Sequence, residues 1–72
     1  MRVPPEAEEV FQALDQLRPE HRDAFLLFHQ HELSYHEIAQ RLDCPVGTVK
    51  TWVHRARRGL IDQLKRRGTI GE

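Results

Sequence analysis

The stretch LSYHEIAQRLDCPVGTVK, residues 33–50, contains the signals that decide the fold of this chain. Ser34 and Glu37 have the S-x-x-E spacing of a capping box, in which each side chain bonds to the backbone amide of the other residue. Further along, Pro45 disfavours helical geometry at Cys44 and ends that helix. The stretch therefore predicts a short helix, a tight turn and the start of a second helix, which is the helix-turn-helix pattern.

The helix after the turn is predicted to run from about Val46 to Arg67. At about 100° per residue, its apolar side chains fall within one quadrant, at Val49, Val53, Ala56, Leu60 and Leu64. The opposite side is polar and basic, with Thr51, His54, Arg55 and Arg58. We therefore expect one buried stripe and one exposed basic face. Ala39 and Gly47 are expected to be the small residues where the two helices cross.

Two more helices are predicted on the N-terminal side of this motif. Val10, Leu14 and Leu17 recur on one helical face. Pro19 breaks that pattern and opens a second helix to about His31. Its inward residues are expected to be Ala24, Phe25, Leu27 and Phe28. Because no stretch alternates like a strand, we expect a small all-α domain of four helices with a C-terminal helix-turn-helix.

Composition excludes several classes of protein. A chain of 72 residues, 39% hydrophobic and 31% charged, suits one small soluble domain and argues against disorder. The longest apolar run, residues 24–28, is far shorter than the roughly 20 residues of a membrane helix. The N-terminus has no signal-peptide pattern, and the single cysteine fits a reducing compartment. A cytoplasmic location is therefore expected.

The formal net charge of zero conceals two halves of opposite sign. Residues 1–43 carry four basic and nine acidic residues, a net charge of −5. Residues 44–72 carry seven basic and two acidic residues, a net charge of +5. This segregation is compatible with a basic face for a polyanion, and equally with an exposed, solvated helix.

The residues that could support chemistry do not form a recognisable constellation. His29 and His31 are two positions apart, which points them to different sides of a helix, and Cys44 stands alone. No glycine-rich phosphate loop and no acid/base arrangement is present. We therefore expect no catalytic residue, no metal site and no cofactor, and we do not expect an enzyme.

Four stretches of the chain together resemble region four of the extracytoplasmic-function sigma factors. They are ALDQLRP at 13–19, LSYHEIA at 33–39, DCPVGTVK at 43–50 and RAR at 55–57. They occur in the family's order and spacing, across roughly residues 10–64. The resemblance implies a domain that binds the promoter −35 element through its last helix and the flap of bacterial RNA polymerase through its earlier helices. It also implies an anti-sigma factor as a partner.

The resemblance further implies a division of the chain. Residues 1–9 are expected to be the remnant of a linker, residues 10–67 the region-four domain and residues 68–72 a flexible tail. The isolated domain is expected to be monomeric. The resemblance also implies that region two of the family, which reads the −10 element, is missing here.

The family's DNA-contacting positions correspond to eight residues of this sequence. They are Lys50, Thr51, Trp52, His54, Arg55, Arg58, Ser34 and Tyr35. The position of Trp52 usually holds a long basic residue in the family, and the position of His54 is variable, so base preference at these two points is not inherited. From helical geometry, Trp52 lies at the boundary of the apolar stripe, where it can cover the edge of the core or lie along thymine methyl groups.

Two other functions stay open at this point. The chain could be a protein-interaction module that binds polymerase or an anti-sigma factor with little DNA affinity. It could also be the output domain of a two-component regulator, which uses a four-helix version of the same motif. The segment before Pro19 and the Arg55-Ala56-Arg57 ending favour the sigma-factor interpretation.

Overall fold

The computed structural model describes residues 5–68, which form four helices. They are α1 (Pro5–Asp15), α2 (Pro19–His29), α3 (Tyr35–Leu42) and α4 (Val46–Arg66). The described residues contain no strand, so the predicted all-α fold with a C-terminal helix-turn-helix is confirmed. None of these helices is both long and apolar enough to cross a membrane. Parts of the expected linker and tail, residues 1–4 and 69–72, lie outside the described residues.

The capping box at the start of α3 forms as predicted. The Glu37 amide donates to the Ser34 hydroxyl at 3.1 Å, and the Ser34 amide donates to the Glu37 carboxylate at 2.9 Å. These bonds satisfy two of the amides that a helix start leaves without partners. The same interaction lowers the pKa of Glu37, because backbone and side-chain hydrogen bonds from Ser34 stabilise the charged carboxylate.

The turn between α3 and α4 begins one residue earlier than Pro45 alone would require. Asp43 adopts a left-handed conformation with φ of 55°, which aspartate tolerates better than most residues. The amides of Asp43 and Cys44 both donate to the carbonyl of Ala39, and this closes the helix end. Pro45 then serves as the N-cap residue of α4.

The predicted end of α2 at about His31 is wrong by two residues, because the helix ends at His29. The amides of Gln30 and His31 both donate to the carbonyl of Leu26, at 2.8 and 3.2 Å. Glu32 then takes a left-handed φ of 57°. A helix cannot continue through that conformation, and an ordinary glutamate gives no sequence signal that it will adopt it.

The core consists of two clusters along α4. The helix-turn-helix cluster comprises Ala24, Ile38, Ala39, Val49 and Val53. The α1 cluster comprises Ala13, Leu14, Leu60 and Leu64. Phe25 of α2 packs against both clusters and joins them. All five residues of the predicted stripe of α4 are buried, which confirms the predicted orientation of this helix.

Gly47 does not have the packing role expected of it. A methyl group built at Gly47 would meet no atom within 4 Å, so the crossing of α3 and α4 does not depend on it. The close approach is at Gly59, where such a methyl group would lie 2.7 Å from a methyl carbon of Leu17. Gly59 therefore lets α1 and the loop after it pack tightly against the second half of α4.

Candidate nucleic-acid interface

One exposed surface of α4 lies opposite its buried stripe. We call it the recognition face, and it consists of Lys50, Thr51, His54, Arg55 and Arg58, all of them exposed. At 1.5 Å per residue, it extends about 12 Å along the helix, which is close to the width of the DNA major groove. Five of the predicted contact residues are therefore brought together on one accessible surface.

An acidic residue ends the recognition face. Asp62 follows Arg58 by about one turn and lines a shallow surface depression with His54, Arg57, Arg58 and Ile61. A carboxylate at this point would repel a nearby phosphate. The part of α4 suited to DNA is therefore its N-terminal part, between Val46 and Arg58.

The hydroxyl proton of Thr51 is donated within the helix. Its Oγ1 donates to the carbonyl of Gly47 at 3.0 Å. The hydroxyl oxygen retains lone pairs and can still accept a hydrogen bond from outside the helix. Thr51 is thus suited to accept from a base amino group, or to contact a thymine methyl group with its own methyl.

Trp52 lies beside the recognition face, against α2 and the end of α3. Its side chain is half-buried and packs against the helix-turn-helix cluster. The ring centroid is 6.4 Å from that of His21, and the indole lines a depression together with Leu42 and Pro19. Much of the ring therefore covers the edge of the core, and its remaining exposed part borders the recognition face.

Ser34 and Tyr35 lie at the start of α3, and both have structural contacts. The Ser34 hydroxyl accepts the capping hydrogen bond from Glu37 and remains exposed. The ring of Tyr35 is half-buried and stacks on Phe28, with centroids 4.7 Å apart and planes inclined by 23°. This stacking fixes the direction of the tyrosine side chain at the start of the supporting helix.

A contact between α2 and α4 was not predicted from the sequence. The Arg57 guanidinium lies 3.2 Å from Nε2 of His29, which packs at 4.4 Å from the ring of Phe25 and 5.0 Å from that of Phe28. Because arginine can only donate, His29 must be neutral to accept this bond. Burial and the Arg57 charge lower the pKa of His29, which favours that neutral form. No sequence pattern predicts a contact between His29 and Arg57, which are 28 positions apart.

His21 lies near two arginines on the other flank of α4. Burial lowers its pKa most, the charges of Arg18 and Arg55 lower it further, and Glu20 opposes them. Positive charge from the N-cap of α2 and positive charge from the recognition face therefore both act on His21. The sequence shows these arginines, but not that both act on the same histidine.

Within residues 5–68, no three His, Cys, Asp or Glu side chains are grouped closely enough to hold a metal ion. Cys44 is a free, half-buried thiol in the turn between α3 and α4. Neither the histidines and carboxylates nor Cys44 changes the description of the recognition face as an exposed basic surface.

A capped short helix, a tight turn and a long helix with an exposed basic face define a DNA-binding domain of the helix-turn-helix class. Comparison with protein families identifies the class further. The model of the family "Sigma-70, region 4" matches residues 7–60, and the chain belongs to this family. The predicted resemblance is confirmed, and the family match favours a sigma factor over the output domain of a two-component regulator.

Individual relatives support the same assignment. The chain is 39% identical over 56 residues to the ECF RNA polymerase sigma-E factor of Escherichia coli (strain K12) and to that of Salmonella typhi. It is 46% identical over 52 residues to the ECF RNA polymerase sigma factor SigE of Mycolicibacterium smegmatis. These matches cover 78% and 72% of the chain, but only 29% and 20% of the relatives. The chain therefore corresponds to the region-4 part of much longer proteins.

Proposed function

We propose that this chain binds the promoter −35 element in a sequence-specific manner through α4 and contacts bacterial RNA polymerase through its earlier helices. The observation that carries the proposal is the recognition face, which is basic and exposed. The opposite side of the same helix is buried in the core. Family membership supports the same function. The chain acts in the cytoplasm, as a monomer when isolated.

The residues of the recognition face divide by chemistry into base-reading and phosphate-binding groups. The planar guanidinium groups of Arg55 and Arg58 can each donate two hydrogen bonds to O6 and N7 of a guanine. Lys50 is a point charge suited to a phosphate. Thr51 and His54 add shorter polar groups between them, and Trp52 offers its exposed edge to a thymine methyl group.

Ser34 and Tyr35 are assigned to the DNA backbone. They lie at the start of α3, where the helix dipole and free amides favour an anionic phosphate. The capping oxygen of Ser34 accepts a bond from Glu37, so its hydroxyl proton is the group available to a phosphate. These contacts would position α4 without reading bases.

The contact with RNA polymerase, and with an anti-sigma factor, is assigned to the N-terminal half of the chain. Residues 1–43 carry a net charge of −5, so this half of the chain as a whole is less suited to DNA than α4, apart from the individual side chains that lie next to the recognition face. Half of the surface of Phe11 in α1 (50%) is exposed, whereas phenylalanine side chains are usually buried. An exposed phenylalanine of this kind is suited to contact another protein. Phe11 also favours the second candidate function, a protein-interaction module with little DNA affinity.

Selection of bound sequences from random duplex DNA, followed by salt titration, tests the proposed function. We expect enrichment of one short motif and micromolar-range affinity for the isolated domain. With roughly three to five phosphates contacted, the log–log salt slope should lie between about −2.7 and −4.5. Arg55→Ala should weaken binding most for the selected motif, whereas the control Arg66→Ala, at the far end of α4, should have little effect. No enrichment and no salt dependence would favour the protein-interaction module.

A further inference from the structure

We propose that Arg18 and His21, together with Arg55, form a second DNA-backbone contact that binds a phosphate on the flank of α4 next to α2. We call these three residues the flank cluster, to which Arg55 contributes its charge while two of its five N–H donors remain available to a base. The proposal rests on the proposed DNA binding by the recognition face and adds a part of the surface outside the helix-turn-helix. Its ligand is the phosphodiester group of duplex DNA.

The path of α2 across α4 places the start of α2 beside the recognition face. Near its N-terminus, His21 packs on Trp52, and at its C-terminus, His29 accepts a bond from Arg57. Trp52 and Arg57 are five residues apart, which is about 140° around the axis of α4. Helix α2 therefore crosses from one flank of α4 to the other. Arg55 follows Trp52 by three residues and lies on the same flank as His21.

The two ends of α2 thus mark the two sides of the recognition face. Tyr35 stacks on Phe28 near the C-terminal end, and the flank cluster lies at the N-terminal end. His21 and Phe28 are separated by seven residues, or about 10 Å along the helix. This spacing approaches the width of the major groove, about 12 Å. A helix seated in the groove would therefore have backbone-binding groups from α3 on one side and from the flank cluster on the other.

The charges of the flank cluster are available to a ligand. Arg22, one turn after Arg18, is already within 3.7 Å of Asp15 and 3.6 Å of Asp23. Among the side chains that the structure describes, no carboxylate lies within ion-pair distance of Arg18 or Arg55. Both arginines are exposed, so a phosphate can reach them.

The position of Arg18 suits it to this contact. It is the N-cap residue of α2, in an extended conformation, and its side chain makes no capping bond. The side chain is therefore not required for the helix start. A guanidinium can give a phosphate two parallel hydrogen bonds, and a protonated imidazole can give a third.

His21 adds a proton-linked component to the contact. The charged and titratable groups that face it are Arg18 and Glu20 from α2 and its N-cap, and Arg55 from α4. In the free domain partial burial and, to a smaller extent, the two arginines oppose protonation of the imidazole. A bound phosphate would offset the arginine charges and raise the pKa of His21, so binding should take up a proton.

Fluorescence anisotropy with labelled duplexes tests the flank cluster. The probes are the selected motif and a scrambled duplex of the same composition. Arg18→Ala should weaken binding about three- to tenfold for both duplexes and make the log–log salt slope shallower by about 0.9. Arg18→Lys should retain most of the salt slope, and Arg66→Ala, which removes the same charge elsewhere, should behave like the wild type. Circular dichroism checks that each variant is folded.

The pH dependence gives an independent measurement. Between about pH 7.5 and about pH 6.2, wild-type binding should strengthen, and His21→Gln should reduce this dependence, to which His54 of the recognition face also contributes. If Arg18→Ala matches Arg66→Ala in affinity and salt slope while the wild type binds DNA, the flank cluster is wrong and the recognition face is unaffected. If the wild type itself shows no salt-dependent binding, the proposed function fails first.

Discussion

At the scale of single residues, Trp52 combines a packing role with a position next to the proposed DNA surface. Its indole lies against His21 and contributes to the apolar contacts around the helix-turn-helix cluster. Thr51, its neighbour in the chain, lies about 100° further around the helix and is exposed. The two residues therefore allow the same substitution to be compared at a packed and an unpacked position.

We predict that Trp52→Arg lowers the free energy of unfolding by about 1–3 kcal/mol, because the arginine stem replaces only part of the buried indole. Thr51→Arg should change stability by less than about 0.5 kcal/mol. Thermal melting measures both, since 1 kcal/mol corresponds to a shift of about 4–8 °C in a domain of this size. Equal melting temperatures for the two variants would show that Trp52 does not support the core.

At the scale of helices, glycines at two positions of α4 have opposite surroundings. Gly47 lies near the start of the helix with open space around it, whereas Gly59 faces a methyl group of Leu17 at close range. Neither glycine has the positive φ that would require the residue for backbone reasons. Their difference is one of packing alone.

Gly47→Ala should stabilise the domain by about 0.5 kcal/mol, because alanine restricts the unfolded chain and favours the helix. Gly59→Ala offers the same gain, but the added methyl group must displace the side chain of Leu17. We therefore predict that Gly59→Ala is neutral or destabilising, as measured by denaturant unfolding. A larger gain at Gly59 than at Gly47 would contradict the observed packing.

The helices also show which parts of the fold can be predicted from the sequence. Periodic apolar residues, a capping box and proline act locally, so they located all four helices and the buried stripe of α4. Contacts between distant residues carry no such pattern. The left-handed conformation of Glu32, the approach of Leu17 to Gly59 and the bond between His29 and Arg57 depend on tertiary packing.

The same distinction applies to the candidate site. The exposed positions of α4 follow from helical periodicity once its apolar face is known. The combined effect of Arg18 and Arg55 on His21 does not, because it depends on how α2 crosses α4. Sequence patterns therefore locate surfaces that belong to one helix, and miss those that two helices share.

At the scale of the whole molecule, the stability of the domain should depend on pH in two separate ranges. The pKa values of His21 and His29 are lowered by the fold from their ordinary value of 6.5. A lowered histidine pKa means that the unfolded chain binds more protons in acid. The stabilisation from the neutral histidines is therefore complete above about pH 6.5 and is lost as the pH falls through the folded pKa values.

Glu37 should produce a second decline in more acidic solution. Its pKa is lowered from 4.5, so the stability from its capping box is present above that value and is lost as the carboxylate becomes protonated. We predict two successive decreases in melting temperature as the pH is lowered. The double variant His21→Gln/His29→Gln should flatten the first decrease and leave the second. A wild-type melting temperature that is constant between about pH 7 and about pH 5.5 would contradict the histidine contribution.

The division of the core into two clusters along α4 has a consequence for how the domain opens. The α1 cluster uses the second half of α4, and the helix-turn-helix cluster uses the first half, with Phe25 between them. Detachment of α1 would expose Leu60 and Leu64 while leaving Ile38, Val49 and Val53 enclosed. We therefore expect amide hydrogen exchange to be faster in α1 than in α3 and the first half of α4, because the helix-turn-helix cluster can stay closed while α1 opens locally.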